Sequence, residues 1–380
     1  MPAARDDDEL VEGVREIVNR VVAPIVASLP AGQKVVPKQW REMYKALAPF
    51  GYLGSTIPRE FGGSGLSYVQ YGLVLEELAR GPLLLGEIVP PRTIHYLGSK
   101  EQKLRFLPPL FSGEWVSTAA ITEPQAGSDL RNLRCAAVPT GDGYRVTGKK
   151  KWIKLGGDAD FMTLMVRTGE RPDGKPSISR LLVERSKSPW TARELPSVGL
   201  DAISFAEIAF DDVAVPGENL LGDAGHGADQ FNRGIEASRA FIGIQAAGIA
   251  DRALALAVAY AKERTAFGRP LARFQAIQTS LADAAAKLAA ARAICLEALR
   301  QLDSGQRAPQ AVAMAKLFAT ETAVEICHLA MDSMGAFGLS REAGVERCWR
   351  DCRMLTVIDG TSGIQRLIIG RELFGTAAFS

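Results

Sequence analysis

Residues 139–154 read PTGDGYRVTGKKKWIK, and this stretch decides the fold. Gly141, Asp142 and Gly143 supply the turn of a β-hairpin, and Tyr144 and Val146 fall on one face of the strand that leaves it. DFMTLMVRT (160–168), ISRLLVERS (178–186) and ISFAEIAFDDVAV (203–215) follow as further short strands, divided by turn-rich segments such as GERPDGKPS (169–177). Strands so close together, with no helix between them, predict an antiparallel barrel or sandwich rather than a βαβ sheet. Residues 116–222 are expected to form this middle β domain.

On either side the period changes from two to that of a helix. DELVEGVREIVNRVVAPIVASL (8–29) and the stretch from Tyr68 to Arg80 place apolar residues on one face. IPREFGGSGLS (57–67) between them is a loop, punctuated by Pro58 and its glycines. Beyond the strands, Ile242, Ala246, Ile249, Ala253, Leu256 and Tyr260 recur at steps of four and three, as do Phe274, Ile277, Leu281, Ala284, Leu288 and Ala291. Such seams belong to long helices packed at shallow angles, as in a four-helix bundle, and their alanines also suit subunit contacts. The expectation is an α+β chain: an N-terminal helical domain (1–115), the β domain, and a C-terminal helical bundle (223–380).

Bulk properties narrow the function by exclusion. The 380 residues are too many for one simple core, and a formal net charge of +2 gives no electrostatic reason to invoke nucleic acid or a membrane surface. No apolar run is expected to approach the length of a membrane span. The opening MPAARDDDELVEG is acidic and polar where a secretory signal would be basic and then apolar, so a cytoplasmic location is expected. Cys135, Cys295, Cys327, Cys348 and Cys352 are scattered, and His95, His226 and His328 have no zinc-like spacing to them. No metal site is expected, and the thiols read as reduced and buried.

The segment AITEPQAGSDL (120–130) resembles a signature of the acyl-CoA dehydrogenase family. KWIKLGG (151–157), KERTAFGRPLARFQ (262–275), MGAFGLSREAGVERCWRD (334–351), IDGTSGIQR (358–366) and the loop at 57–67 match the family in the same order. Together they cover nearly the whole chain. The resemblance implies FAD as cofactor, an acyl-CoA substrate, an electron-transfer flavoprotein as acceptor, and a homotetramer or at least a dimer. It also implies roles for residues. Ala119, Ile121, Thr122, Gly127 and Ser128 would line the flavin, with Ser128 also near the pantetheine of the substrate. Small residues there let backbone N–H groups approach a flat polar ring closely, although an ordinary Gly/Ser turn looks the same. Trp152 would stand beside the flavin ring. Lys154 departs from the family, which has Thr or Ser there to bond flavin N5. Either its side chain points away, the option favoured because a buried unpaired ammonium is costly, or a cation sits near N5.

Arg264, Phe267 and Gln275 match residues that bind the FAD diphosphate and adenosine of a neighbouring subunit, where a planar guanidinium donates two parallel hydrogen bonds. Asp332 and Gly335 stand at a further FAD position, the acidic Asp332 in place of the family's Gln, and Thr361 and Ser362 match additional FAD contacts. Glu236, Ser238, Arg239, Arg307 and Gly360 fall on substrate positions.

The family's usual base is a Glu just before Gly-Thr. Here that residue is Asp359, one methylene shorter, as in the branch that includes alicyclic acyl-CoA dehydrogenases. The other base position known in the family is occupied by Ser238. Asp359 is therefore the expected α-proton base, acting on a cyclic or α-branched acyl group. A nitroalkane-oxidase type of flavin oxidase and a catalytically silent FAD- or acyl-CoA-binding scaffold are the alternatives.

Overall fold

A computed structural model of the chain describes residues 6–30, 32–376 and 378. Helices Asp7–Ile17, Pro37–Leu47, Tyr68–Arg80, Val89–Leu97 and Lys100–Phe111 come first. Two of them start where a serine makes the start explicit. Ser67 accepts from the N–H of Gln70, whose side chain accepts in return from the Ser67 N–H, and Ser99 does the same with Gln102.

The strands are β1 (Ser117–Ala120), β2 (Ala136–Pro139), β3 (Gly143–Lys154), β4 (Phe161–Glu170), β5 (Pro176–Glu184), β6 (Thr191–Glu194), β7 (Phe205–Pro216) and β8 (Leu220–Leu221). They form one sheet in the order β6-β7-β3-β2-β4-β5-β8, with β1 also paired to β4. The hairpin at 139–154 is present, β2 running antiparallel to β3 with Val146 opposite Ala137. The antiparallel barrel or sandwich is corrected: the sheet does not close, and it is mixed. β1 runs parallel to β4, Ala119 opposite Thr163, and β2 meets β4 in parallel at Ala136 and Arg167. Alternation along a strand sets its faces but not its partner. The loop between β1 and β2 returns the chain to the same edge of β4, a non-local choice that local patterning does not contain.

Helices Gly227–Gly234, Glu236–Glu263, Gln275–Asp303, Pro309–Met334, Val345–Leu355 and Ser362–Phe374 complete the chain. The long Glu236–Glu263 helix packs at backbone distance from its neighbours. A Cβ on Gly243 would lie 2.8 Å from Cys295 Sγ, and one on Gly248 only 2.4 Å from the carbonyl oxygen of Glu76. That closeness explains its small residues. Among the described residues there is no clear membrane span: the helical stretch Gly227–Glu263 is long and apolar enough by length and composition, but it is mostly buried inside the protein. One hydrophobic core runs from Leu10 and Tyr71 through Phe241 to Leu355, so the N-terminal helices and the C-terminal bundle share a single interior. The sheet has its own core around Val146, Leu164 and Ile208.

Candidate active site

Asp359 sits in the turn that feeds the last helix. Thr361 caps that helix by accepting from the Ile364 N–H. Asp359 has φ 53° and Gly360 φ 99°, both in the left-handed region. Lys316, fully buried, holds the turn from below, its Nζ donating to the carbonyls of Gly360 (2.8 Å) and Leu355 (3.2 Å). Gln365 Nε2 donates to the same Gly360 oxygen at 2.8 Å. The strained turn is thus fixed by side chains, as functional backbone strain requires.

The Asp359 carboxyl lines a cavity shared with Val89, Thr93, Ala119, Ile121 and Ile235. Burial pushes its pKa above the ordinary carboxylate range, against the pull of Lys316, Arg239, Arg92 and Lys154. Those cations form a shell. Arg92 pairs with Glu87 at 2.7 Å and donates to Ser238 Oγ at 2.6 Å. Burial raises Glu87 too. Arg239 is buried with its Nε unpartnered. Lys154 turns inward: its Nζ lies against Gly86, where an added Cβ would come within 3.0 Å. Burial brings its ammonium down to about 8, opposed by Asp359 and Glu87. Lys316 is lowered to about 8 for the same reason.

The sheet side of the site is a loop tied down at its base. Glu123 accepts from the N–H groups of Arg134 and Cys135 and from Lys150 Nζ at 2.8 Å, and the Thr122 carbonyl accepts from the Lys151 N–H. Gly127 and Ser128 remain exposed above this anchor. The register of β3 slips between Lys150 and Ile153, and Trp152 takes φ 62° there with its ring 48% exposed.

A second cavity, of about 560 Å³, lies between helices. Arg264, Asp332 and Gly335 line it, together with Tyr260, Ile277 and Phe337. No ion-pair partner for the Arg264 guanidinium exists among the described residues. Gly335 has φ 58° and open space where a Cβ would be. Phe267, at the tip of a two-stranded hairpin, is 94% exposed, and Gln275 begins the next helix at the surface.

Not every sequence-derived site residue gathers at these cavities. Glu236 and Arg307 pair with each other at 2.8 Å, and Glu236 also accepts from the Ala308 N–H, closing a helix junction. Ser362 Oγ bonds Glu321. Conversely, the motifs did not mark Glu87, Arg92, Arg180 or Lys316. Their signal is a charge set on an apolar face: Lys316 follows Val312, Ala313 and Ala315 on a buried seam.

This arrangement is matched by known proteins. Three domain families fit the chain in order: Acyl-CoA dehydrogenase, N-terminal domain (residues 4–114), middle domain (118–213) and C-terminal domain (225–374). The chain belongs to the acyl-CoA dehydrogenase family of oxidoreductases and has its fold. It is 37% identical over 339 residues to a probable acyl-CoA dehydrogenase, YngJ, of Bacillus subtilis (strain 168), covering 87% of this chain and 89% of that one. It is 33% identical to the CarC subunit of the caffeyl-CoA reductase-Etf complex of Acetobacterium woodii, over 88% and 89% of the two chains. A glutaryl-CoA dehydrogenase from Mycobacterium smegmatis, solved in complex with FADH2, superposes with a TM-score of 0.87 at 26% identity over 99% and 96%.

Proposed function

We propose that the protein oxidises an acyl-CoA thioester to the enoyl thioester, with Asp359 removing the α-proton. The observation that carries this reading is the half-buried Asp359 carboxyl, held in a strained turn and facing a largely apolar cavity. Burial raises its basicity, and the surrounding cations keep an ionised fraction available, which is the balance a base for a weakly acidic C–H needs. Lys316 and Gln365 fix the turn, so the carboxylate approaches from one direction.

FAD fits the residues present. Arg264, without an ion-pair partner among the described residues, offers its guanidinium to a diphosphate, Gly335 leaves room for close approach, and exposed Trp152 and the 119–128 segment offer a wall for a flat ring. When bound, FAD would accept the β-hydride. Phe267 and Gln275 lie too far out on the surface to close this site alone, which supports a second subunit and hence a homotetramer or dimer. Electrons would pass to an electron-transfer flavoprotein, as the Etf-associated relative suggests. Five free, buried thiols suit a reducing, cytoplasmic compartment. The short Asp359 arm favours a cyclic or α-branched acyl group held close to the turn.

The test is anaerobic bleaching of the yellow protein by a panel of straight-chain, branched and cyclic acyl-CoAs alongside nitroalkanes. Bleaching by thioesters alone supports the reading, and bleaching by nitroalkanes alone replaces it with an oxidase.

A further inference from the structure

Arg180 stands on β5 opposite Met165 of β4, is 5% exposed, and lines the same cavity as Asp359. Its Nε and Nη2 have no hydrogen-bond partner, and no carboxylate among the described residues pairs with it. The Phe231 ring lies over its guanidinium, with the centroid 5.5 Å away. Burial alone perturbs it, bringing the guanidinium down to about 10.

Other buried cations of this fold have partners: Arg92 has Glu87 and Ser238, Lys150 has Glu123, and Lys316 has two carbonyls, while Arg239, with an unpartnered Nε, belongs to the shell around Asp359. A buried guanidinium left with free N–H groups is unfavourable unless an anion completes it. The walls beside Arg180 are mostly apolar, with Ile121, Met165, Phe231 and Ile235, and Thr93 and Thr163 add two hydroxyls, of which Thr93 already donates to the Val89 carbonyl. A diphosphate calls for more than one cation, and among the described residues Arg180 is the one cation that lines this cavity. A single carboxylate on an apolar body needs one fork of parallel N–H donors and apolar flanks, which Arg180 and these walls provide. Both residues line the cavity, yet no ion pair joins Arg180 to Asp359, so the two charged groups stand apart on its wall.

We propose that the thioester deprotonated by Asp359 carries a second, free carboxylate distant from its α-carbon, and that Arg180 receives it. The inference rests on the dehydrogenase reading and names its substrate class, a monothioester of a dicarboxylic acid.

The test compares FAD-loaded enzyme binding a dicarboxylic acid monothioester and its methyl-terminated isostere, each as the CoA and as the pantetheine thioester. Binding is read from flavin spectral perturbation and calorimetry, and bleaching is followed separately. The carboxylated member should bind roughly 10- to 100-fold tighter, the scale of a charged two-point hydrogen bond. Arg180→Met should bring that ratio close to one, and Arg180→Lys should keep part of it. The preference should survive in the pantetheine series, which lacks the CoA diphosphate. A preference absent from wild type, or unchanged in Arg180→Met, overturns the proposal. An Arg180→Met loss confined to CoA thioesters overturns it in favour of a phosphate contact. Arg180-dependent binding without bleaching by any thioester upholds the anion site and sinks the dehydrogenase reading. Thermal denaturation of Arg180→Met guards against misfolding, since removing an unpaired buried cation should not lower its Tm.

Discussion

The two cavities of this molecule are built on opposite principles. Around Asp359 everything is supplied by one chain: a strained turn, a lysine beneath it, and a shell of arginines with one carboxylate partner in Glu87. Around Arg264 the chain supplies only part of a wall, and a phenylalanine 94% exposed stands on the hairpin beside it. The contrast separates chemistry from assembly. On the proposed reading, the inner site can be damaged one residue at a time, whereas the outer one would depend on cofactor and neighbouring subunit together.

The largest break in this contrast should come at the base. Asp359→Asn keeps the size of the side chain but cannot take a proton. Flavin reduction by a thioester should fall by about 10²- to 10⁴-fold in stopped-flow, while FAD content is unchanged. In wild type the rate should rise with pH through a value above the ordinary carboxylate pKa, because burial favours the protonated form and only the ionised form acts.

Glu87→Gln tests whether the cation shell needs its counter-charge. It leaves Arg92 buried against a neutral amide, and removing one partner of a buried pair costs about 3–5 kcal/mol. Denaturant unfolding should show the loss, and Arg92→Met in the same background should recover much of it.

At the outer cavity, Arg264→Ala should weaken FAD binding roughly 10- to 100-fold, the scale of a charged hydrogen bond, with little change in the stability of the apoprotein. Titration of apoprotein with FAD checks this. If the outer site is shared between subunits, the loss should be steeper at low protein concentration.

The smallest effect concerns Lys154. Burial lowers it to about 8 from 10.5, so the folded protein holds this proton less tightly than the unfolded chain does. Its contribution therefore disfavours folding below about pH 8, and that penalty fades as pH rises to 10.5. Lys154→Met should raise Tm by a few degrees at pH 7, and the difference from wild type should vanish near pH 10.5.

The sequence made the helix–strand–helix order legible because period and turn chemistry are local. The open, mixed sheet was not legible, since the parallel pairing of β1 and β2 with β4 is decided by a returning loop. The same divide runs through the site. Asp359, Arg264 and Gly335 lie in motifs and could be named beforehand. Glu87, Arg92 and Arg180 come from separate elements, and only folding makes them neighbours of the cavity. Glu236 and Arg307, far apart in sequence, look like two separate substrate contacts until the structure pairs them.

The most direct test of the central claim isolates proton removal from electron transfer. Enzyme and a thioester that cannot be oxidised at its β-position would be incubated in D2O, and loss of the α-hydrogen signal followed by NMR. The account predicts catalysed exchange by wild type and none above background by Asp359→Asn. Exchange at the wild-type rate in Asp359→Asn would contradict it.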